Sequence, residues 1–213
     1  MHLPRKKTNN QEMKNRLLAG ITILILILGS SCSAPKKTSP YMYDDFKTIN
    51  PDFRLHSKAV ADGKLLAEFK CEEKVNGVEN SIPLSWSHVP EGTKSLAIVM
   101  YHYPKKDDKS EINSYLLLWG IQPTVTEIPY KMANSPDWFM GSNKDGNAIS
   151  YTSPCSRGPG VHTYTIALIA LLERPKSLPQ ASSLDVDLNT FMNAISEDTI
   201  IDITTLTFVD TNE

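Results

Sequence analysis

The 213-residue chain lacks three features, and each absence excludes a class of protein. The longest apolar run, residues 17–28, is shorter than the roughly 20 residues of a membrane-spanning helix. No Cys-x-x-Cys or His-x-x-x-His spacing occurs, so we expect neither a metal site nor a cofactor. Basic residues are not in excess: the net charge is −2, and residues 32–213 carry 17 basic against 23 acidic groups. Nucleic-acid binding is therefore not expected.

The N-terminal segment has the pattern of an export signal. Basic residues precede the apolar run 17–28, and small residues follow it up to Cys32. This pattern resembles a bacterial lipoprotein signal, and it predicts a signal peptide at 1–31 and lipid attachment at Cys32. The alternatives are an ordinary cleaved signal or an uncleaved anchor, with Cys32 incidental. Residues 32–45 are polar and contain proline, which predicts a tether that holds the protein to a membrane of the bacterial envelope, facing the periplasm or the exterior.

Residues 46–213 have the rhythm of an all-β domain, in which short apolar runs alternate with turn residues. Three of the runs are continuously apolar, as in strands covered on both faces. The predicted strands are 65–69, 94–103, 114–121, 161–172 and 199–209.

One helix is predicted near the C-terminus. Four apolar residues have helical spacing, and Asp187 precedes them as an N-cap. They are Leu188, Phe191, Met192 and Ile195. The pattern as a whole predicts an all-β sandwich of two sheets with one or two short helices.

Several ordered motifs resemble the phosphatidylethanolamine-binding protein family, also called Raf kinase inhibitor-like proteins. Residues 82–97 read Ile-Pro-Leu-Ser-Trp-Ser-His-Val-Pro-Glu-Gly-Thr-Lys-Ser-Leu-Ala, close to a family signature. Residues 141–155 are similar to its glycine-asparagine loop with a following Pro-Cys, and 160–168 to its Gly-x-His-x-Tyr strand. The resemblance spans roughly residues 50–210. It implies a β-sandwich with a small anion-accepting pocket at one end.

The resemblance also implies which residues line that pocket. His162 and Tyr164 match the family pattern, whereas His102 stands where the family has an acid and Tyr115 where it has a histidine. With the preceding loop, the predicted ligand-binding residues are His162, Tyr164, Tyr115, His102, Pro154 and Cys155. Two imidazoles and two phenols without a carboxylate favour a bare anion over a zwitterionic head group.

These observations predict a membrane-tethered, non-enzymatic protein that binds a small phosphate- or carboxylate-like anion. The alternative is a protein-interaction module that inhibits or regulates an enzyme and has a vestigial pocket. A third hypothesis makes Cys155 a nucleophile activated by His162. An exported protein permits a disulfide between Cys71 and Cys155, but the sequence leaves this pairing open.

Overall fold

The structure is a computed structural model that describes residues 48–71, 74–75, 78–105, 108–156, 158–195 and 199–212. All of these lie in one of the chain's two units, Ser39–Glu213. The predicted signal peptide at 1–31, Cys32 and the tether at 32–45 lie outside the described residues. Among the described helices, none has the length and apolar character needed to cross a membrane.

The regular secondary structure of the described chain is mainly β-sheet. The strands are β1 (Arg54–His56), β2 (Val60–Ala61), β3 (Lys64–Leu65), β4 (Lys74–Val75), β5 (Val78–Glu79), β6 (Leu84–Ser87), β7 (Ser95–His102), β8 (Asn113–Ile121), β9 (Glu127–Ile128), β10 (Phe139–Met140), β11 (Gly160–Leu171) and β12 (Ile200–Asn212). A seven-stranded sheet has the order β10-β8-β7-β11-β12-β3-β2, and a three-stranded sheet has the order β1-β6-β9. Strands β4 and β5 form a separate ribbon.

The long central strands β7, β8 and β11 are buried because the seven-stranded sheet is covered on both faces. From β7, Leu96, Ile98 and Met100 pack in a cluster with residues of the three-stranded sheet, including Trp86. The alternating residues Ala97 and Val99 pack in a second cluster with the helix. The strands predicted at 94–103, 114–121 and 161–172 are confirmed, as is the mainly β fold.

The strand predicted at 65–69 is wrong beyond its first residue. Strand β3 ends at Leu65, and Ala67–Phe69 form a 3-10 turn in which the Phe69 N–H donates to the Leu66 carbonyl. The chain turns here towards another segment, because the Cys71 N–H donates to the Pro154 carbonyl. A long-range contact therefore overrides the local β pattern. The strand predicted at 199–209 exists but runs from Ile200 to Asn212.

The predicted helix, α1 (Leu188–Ile195), is confirmed together with its cap. Its four apolar side chains at the predicted spacing are all buried against the seven-stranded sheet. The Asp187 carboxylate accepts a hydrogen bond from the Thr190 N–H at 2.8 Å, which satisfies a donor of the first helical turn.

Removal of this cap should measurably destabilise the protein. We expect Asp187→Ala to lower the free energy of unfolding by about 1 kcal/mol, because the Thr190 N–H loses its acceptor. Urea denaturation measures the change. The neighbouring exposed Asp185 is the control, and Asp185→Ala should change stability by less than about 0.5 kcal/mol. Equal losses in the two variants would contradict the assigned cap.

Candidate functional site

One end of the seven-stranded sheet carries the candidate site, because three strands meet there in antiparallel register. His102 at the end of β7 pairs with Asn113 at the start of β8 and with Tyr164 near the start of β11. Loops that follow β10 and precede β11 border the same end. Together they enclose a cavity of about 610 Å³, here called the main cavity.

The lining of the main cavity is mostly polar, with hydroxyl, amide, imidazole and ammonium groups. The lining residues are Cys71, His102, Pro104, Asn113, Tyr115, Lys144, Asp145, Thr152, Ser153, Cys155, Ser156, Gly158 and His162. Four of the predicted ligand-binding residues are therefore brought together: His102, Tyr115, Cys155 and His162.

Tyr164 and Pro154 have different places from those predicted. Neither is among the lining residues. Tyr164 is fully buried and stacks on His102, with ring centroids 4.7 Å apart. On strand β11 it points to the same face as His162, but lies deeper because the strand there pairs with β7. The Pro154 carbonyl accepts the Cys71 N–H, so this residue holds two segments together at the cavity wall.

Backbone hydrogen bonds fix which ring nitrogen of each imidazole carries a hydrogen. Nδ1 of His102 lies 2.9 Å from the Thr163 carbonyl, and Nε2 of His162 lies 2.9 Å from the Gly158 carbonyl. Because a carbonyl oxygen only accepts, both of these nitrogens are donors. When neutral, His102 therefore keeps a lone pair on Nε2, and His162 keeps one on Nδ1.

The surroundings of His102 disfavour its charged form. Burial lowers the pKa of His102, the hydrogen bond to Thr163 partly offsets this, and electrostatic interactions with His162 and Lys144 lower it further. Lys144 also lies over Tyr115, with its Nζ 5.2 Å from the ring centroid. Burial likewise raises the pKa of the Tyr164 phenol, although hydrogen bonds with Ser156 and Tyr115 reduce the effect.

A buried asparagine holds the loop that presents Lys144. The Asn143 amide donates to the Ser150 and Thr152 hydroxyls, at 2.9 and 2.5 Å. Its side-chain oxygen accepts the Asp145 N–H at 3.0 Å. The loop is also tied to β8, because the Lys144 N–H donates to the Ser114 carbonyl at 2.7 Å. The positions of Lys144 and Asp145 at the cavity are therefore fixed by the backbone.

A disulfide joins Cys71 to Cys155 at the cavity wall and links residues 84 positions apart. The hypothesis that Cys155 is a nucleophile is wrong for this structure, because its sulfur is bonded and carries no thiolate. The sequence left open whether Cys71 and Cys155 are paired, and the structure shows that they are. Beside it, the Ser153 hydroxyl donates to the Phe69 carbonyl at 3.1 Å.

A buried ion pair lies next to the disulfide. Asp210 on β12 is buried, and its carboxylate pairs with the ammonium of Lys70, the residue before Cys71. Asp210 is opposite His162 in the register of β11 and β12. The pair therefore anchors the Cys71 segment to the strand pair that carries His162.

Sequence reasoning missed Asn113, Lys144, Asp145 and the hydroxyls of the loop. The expectation that the pocket has no carboxylate is wrong, because Asp145 lines the main cavity. The sequence did contain a signal for these residues, because the turn at 143–146 lies inside the glycine-asparagine loop motif. The side chains of this turn reach the cavity only because Asn143 is folded inward, and the sequence alone does not show that orientation. Among the described residues, no group of three His, Cys, Asp or Glu side chains could hold a metal ion.

Comparison with known proteins finds the same fold and family. The family model for phosphatidylethanolamine-binding protein matches residues 56–208. A UPF0098 protein of Methanothermobacter thermautotrophicus is 29% identical over 127 residues, which cover 58% of this chain and 79% of that protein.

Two solved structures are similar in fold. A putative phosphatidylethanolamine-binding protein homologue from Chlamydia trachomatis, CT736, has a TM-score of 0.61 and 21% identity, covering 77% of this chain and all of that one. YbcL of E. coli, described as a member of the mammalian family, has a TM-score of 0.57 and 23% identity, covering 76% of this chain and 99% of that one. At these identities the likeness shows the fold.

Proposed function

Because the chain belongs to the phosphatidylethanolamine-binding protein family, we propose that it is a non-enzymatic binding protein whose main cavity accepts a small phosphate- or carboxylate-like anion. The observation that carries the proposal is the convergence of Lys144, His102, His162 and several hydroxyls on one cavity. An anion needs several donors at once, and the Lys144 ammonium, the hydroxyls and the protonated imidazoles can supply them.

The electrostatic setting supports an anion. The electrostatic effects of Lys144 and His162 on His102 both disfavour its charged form in the free protein. A bound anion would offset this repulsion and favour the imidazolium form, which can donate from both ring nitrogens. Asp145 at the rim opposes an anion but can accept an ammonium group, so a zwitterionic ligand is also accommodated.

A binding role is favoured over catalysis because Cys155, the one cavity residue for which a nucleophilic role was suggested, is part of the disulfide.

We also propose that the protein has a lipid anchor at Cys32 and resides in the bacterial envelope, because the N-terminal pattern resembles a lipoprotein signal. Membrane fractionation of a Cys32→Ser variant tests this location. We expect the variant to be lost from the membrane fraction.

Calorimetric titration with phosphate tests the proposed ligand. We expect the wild-type protein to bind phosphate and Lys144→Gln to bind it about tenfold more weakly, because one charge-assisted contact is lost. Lys176→Gln is the matched control, since Lys176 is exposed and pairs with Glu173 at 2.9 Å. Phosphoethanolamine and acetate extend the series. No heat of binding for any of the three would favour the alternative, a protein-interaction module.

Anion affinity should increase as the pH falls. Since the pKa of His102 is lowered in the free protein and an anion raises it, binding takes up a proton between the two values. We expect sulfate, whose charge is constant over this range, to bind more tightly at pH 5 than at pH 7, by at most about tenfold per pH unit. The neighbours that face His102 are His162, Lys144, Tyr115 and Tyr164.

The matched variants are His102→Gln and His56→Gln. We expect His102→Gln to flatten the pH dependence of sulfate binding, whereas exposed His56 should have no effect. A full pH dependence in His102→Gln would show that another group takes up the proton.

A further inference from the structure

A second cavity adjoins the main cavity at the end of strand β11. It has a volume of about 460 Å³ and shares His102, Pro104 and His162 with the main cavity. We call it the side groove. The three shared residues form the boundary at which the two cavities adjoin.

The strand pairing explains why the two spaces meet. Strand β11 begins at Gly160, but its register with β7 begins only at Tyr164, opposite His102. Residues 160–163 pair with β12 on one side, and β7 has already ended on the other. The pairing of β7 with β11 therefore stops before Pro104 and His162, and we call the unpaired gap between these two residues the notch. The main cavity lies on the face of His162, and Val161 and Thr163 on the opposite face line the side groove.

The wall of the side groove is more apolar than that of the main cavity, although Lys109 and two threonines also line it. Tyr103, Pro159 and Val161 contribute to it, and Val161 is 66% exposed. The Tyr103 ring meets Tyr101 edge-on at 5.7 Å, and the Lys109 ammonium lies 5.5 Å from its centroid. One exposed valine alone would not indicate a binding site, because single exposed apolar residues are common on protein surfaces. A partly apolar groove beside a polar cavity, however, fits a ligand that has one apolar and one polar part.

We propose that the ligand is an organic anion with an aromatic group, which places its anionic end in the main cavity and its ring in the side groove. This inference rests on the proposed function, because the anionic end occupies the same cavity. An aromatic ring is favoured over an alkyl chain because tyrosine edges and an ammonium group recognise ring faces. The ring and the anionic group are separated by a short linker, which crosses the notch between Pro104 and His162.

Three carboxylates of equal charge separate the contribution of the groove from that of the anion: propionate, phenylpropionate and cyclohexylpropionate. By calorimetry we expect phenylpropionate to bind the wild-type protein at least about tenfold more tightly than propionate, and more tightly than cyclohexylpropionate. Val161→Ser should reduce this advantage without changing propionate affinity, because Val161 contacts only the side groove. Tyr103→Leu should remove the preference for the aromatic ring.

The control is Leu172→Ser, an exposed leucine just beyond the other end of β11, and it should leave all affinities unchanged. Equal affinities of the three carboxylates, or equal effects of Val161→Ser and Leu172→Ser, would overturn the aromatic subsite while phosphate or propionate binding kept the proposed function. Binding of phenylpropionate without binding of phosphate or propionate would support the groove and overturn the anion site. No binding of any compound would overturn both.

Discussion

Replacement of Cys71 and Cys155 by serine is expected to lower the free energy of unfolding by about 4–5 kcal/mol. The disulfide closes a loop between residues 84 positions apart, and the chain-entropy model gives about this value for a loop of that length. Guanidinium denaturation of the oxidised wild type and the double serine variant measures the difference. Reduction of the wild type by a dithiol, which converts the disulfide to two thiols, should reproduce the variant's stability.

The same variant should weaken anion binding, because the disulfide holds the Ser153–Ser156 wall against the segment that ends at Cys71. The Cys71–Pro154 backbone hydrogen bond and the Ser153–Phe69 hydrogen bond remain, so we expect the wall to loosen but to keep its position.

A stability difference below about 1 kcal/mol between the oxidised and the reduced wild type would contradict the stability prediction, because it would show that the disulfide adds little to the folded state.

Replacement of Lys70 by methionine is expected to lower the free energy of unfolding by about 3 kcal/mol. The Asp210 side chain is 2% exposed, so loss of Lys70 leaves a buried carboxylate without its counter-charge. The Lys70 side chain is 27% exposed, and water access there places the effect at the lower end of the range for buried pairs. Urea denaturation at pH 7 measures the loss.

A double-mutant cycle separates this charge effect from lost packing. Asp210→Asn in the Lys70→Met background should recover much of the stability, because no buried charge then remains. Lys64→Met, at an exposed position of the short strand β3, is the control and should change stability by less than about 0.5 kcal/mol. A double variant no more stable than Lys70→Met would contradict the buried-charge explanation.

The elements that the sequence predicted well are those whose burial is regular. Strand β7 is buried throughout because it is covered on both faces, and helix α1 has its four apolar residues on one side. The strand at 65–69 was predicted wrongly because the same local pattern fits a 3-10 turn, and only the distant partners Pro154 and Asp210 decide between them. Long-range contacts of this kind are invisible to local periodicity.

The candidate site also contains features that the sequence predicted and features that it could not predict. Motif positions identified His102, Tyr115 and His162, because residues at strand ends keep their place in a shared fold. The alternation of β11 placed Tyr164 on the correct face, but it could not give the depth at which Tyr164 stacks beneath His102. The Cys71–Cys155 bond depends on a Cα–Cα separation of 4.6 Å that only the folded chain defines.

A crystal structure of the protein soaked in phosphate is the decisive test of anion binding in the main cavity. We expect one phosphate in the main cavity, within hydrogen-bond distance of the Lys144 ammonium and of the His162 imidazole, and its absence from isomorphous crystals of Lys144→Gln. An empty main cavity at a phosphate concentration that saturates the calorimetric signal, or phosphate bound only elsewhere on the surface, would contradict it.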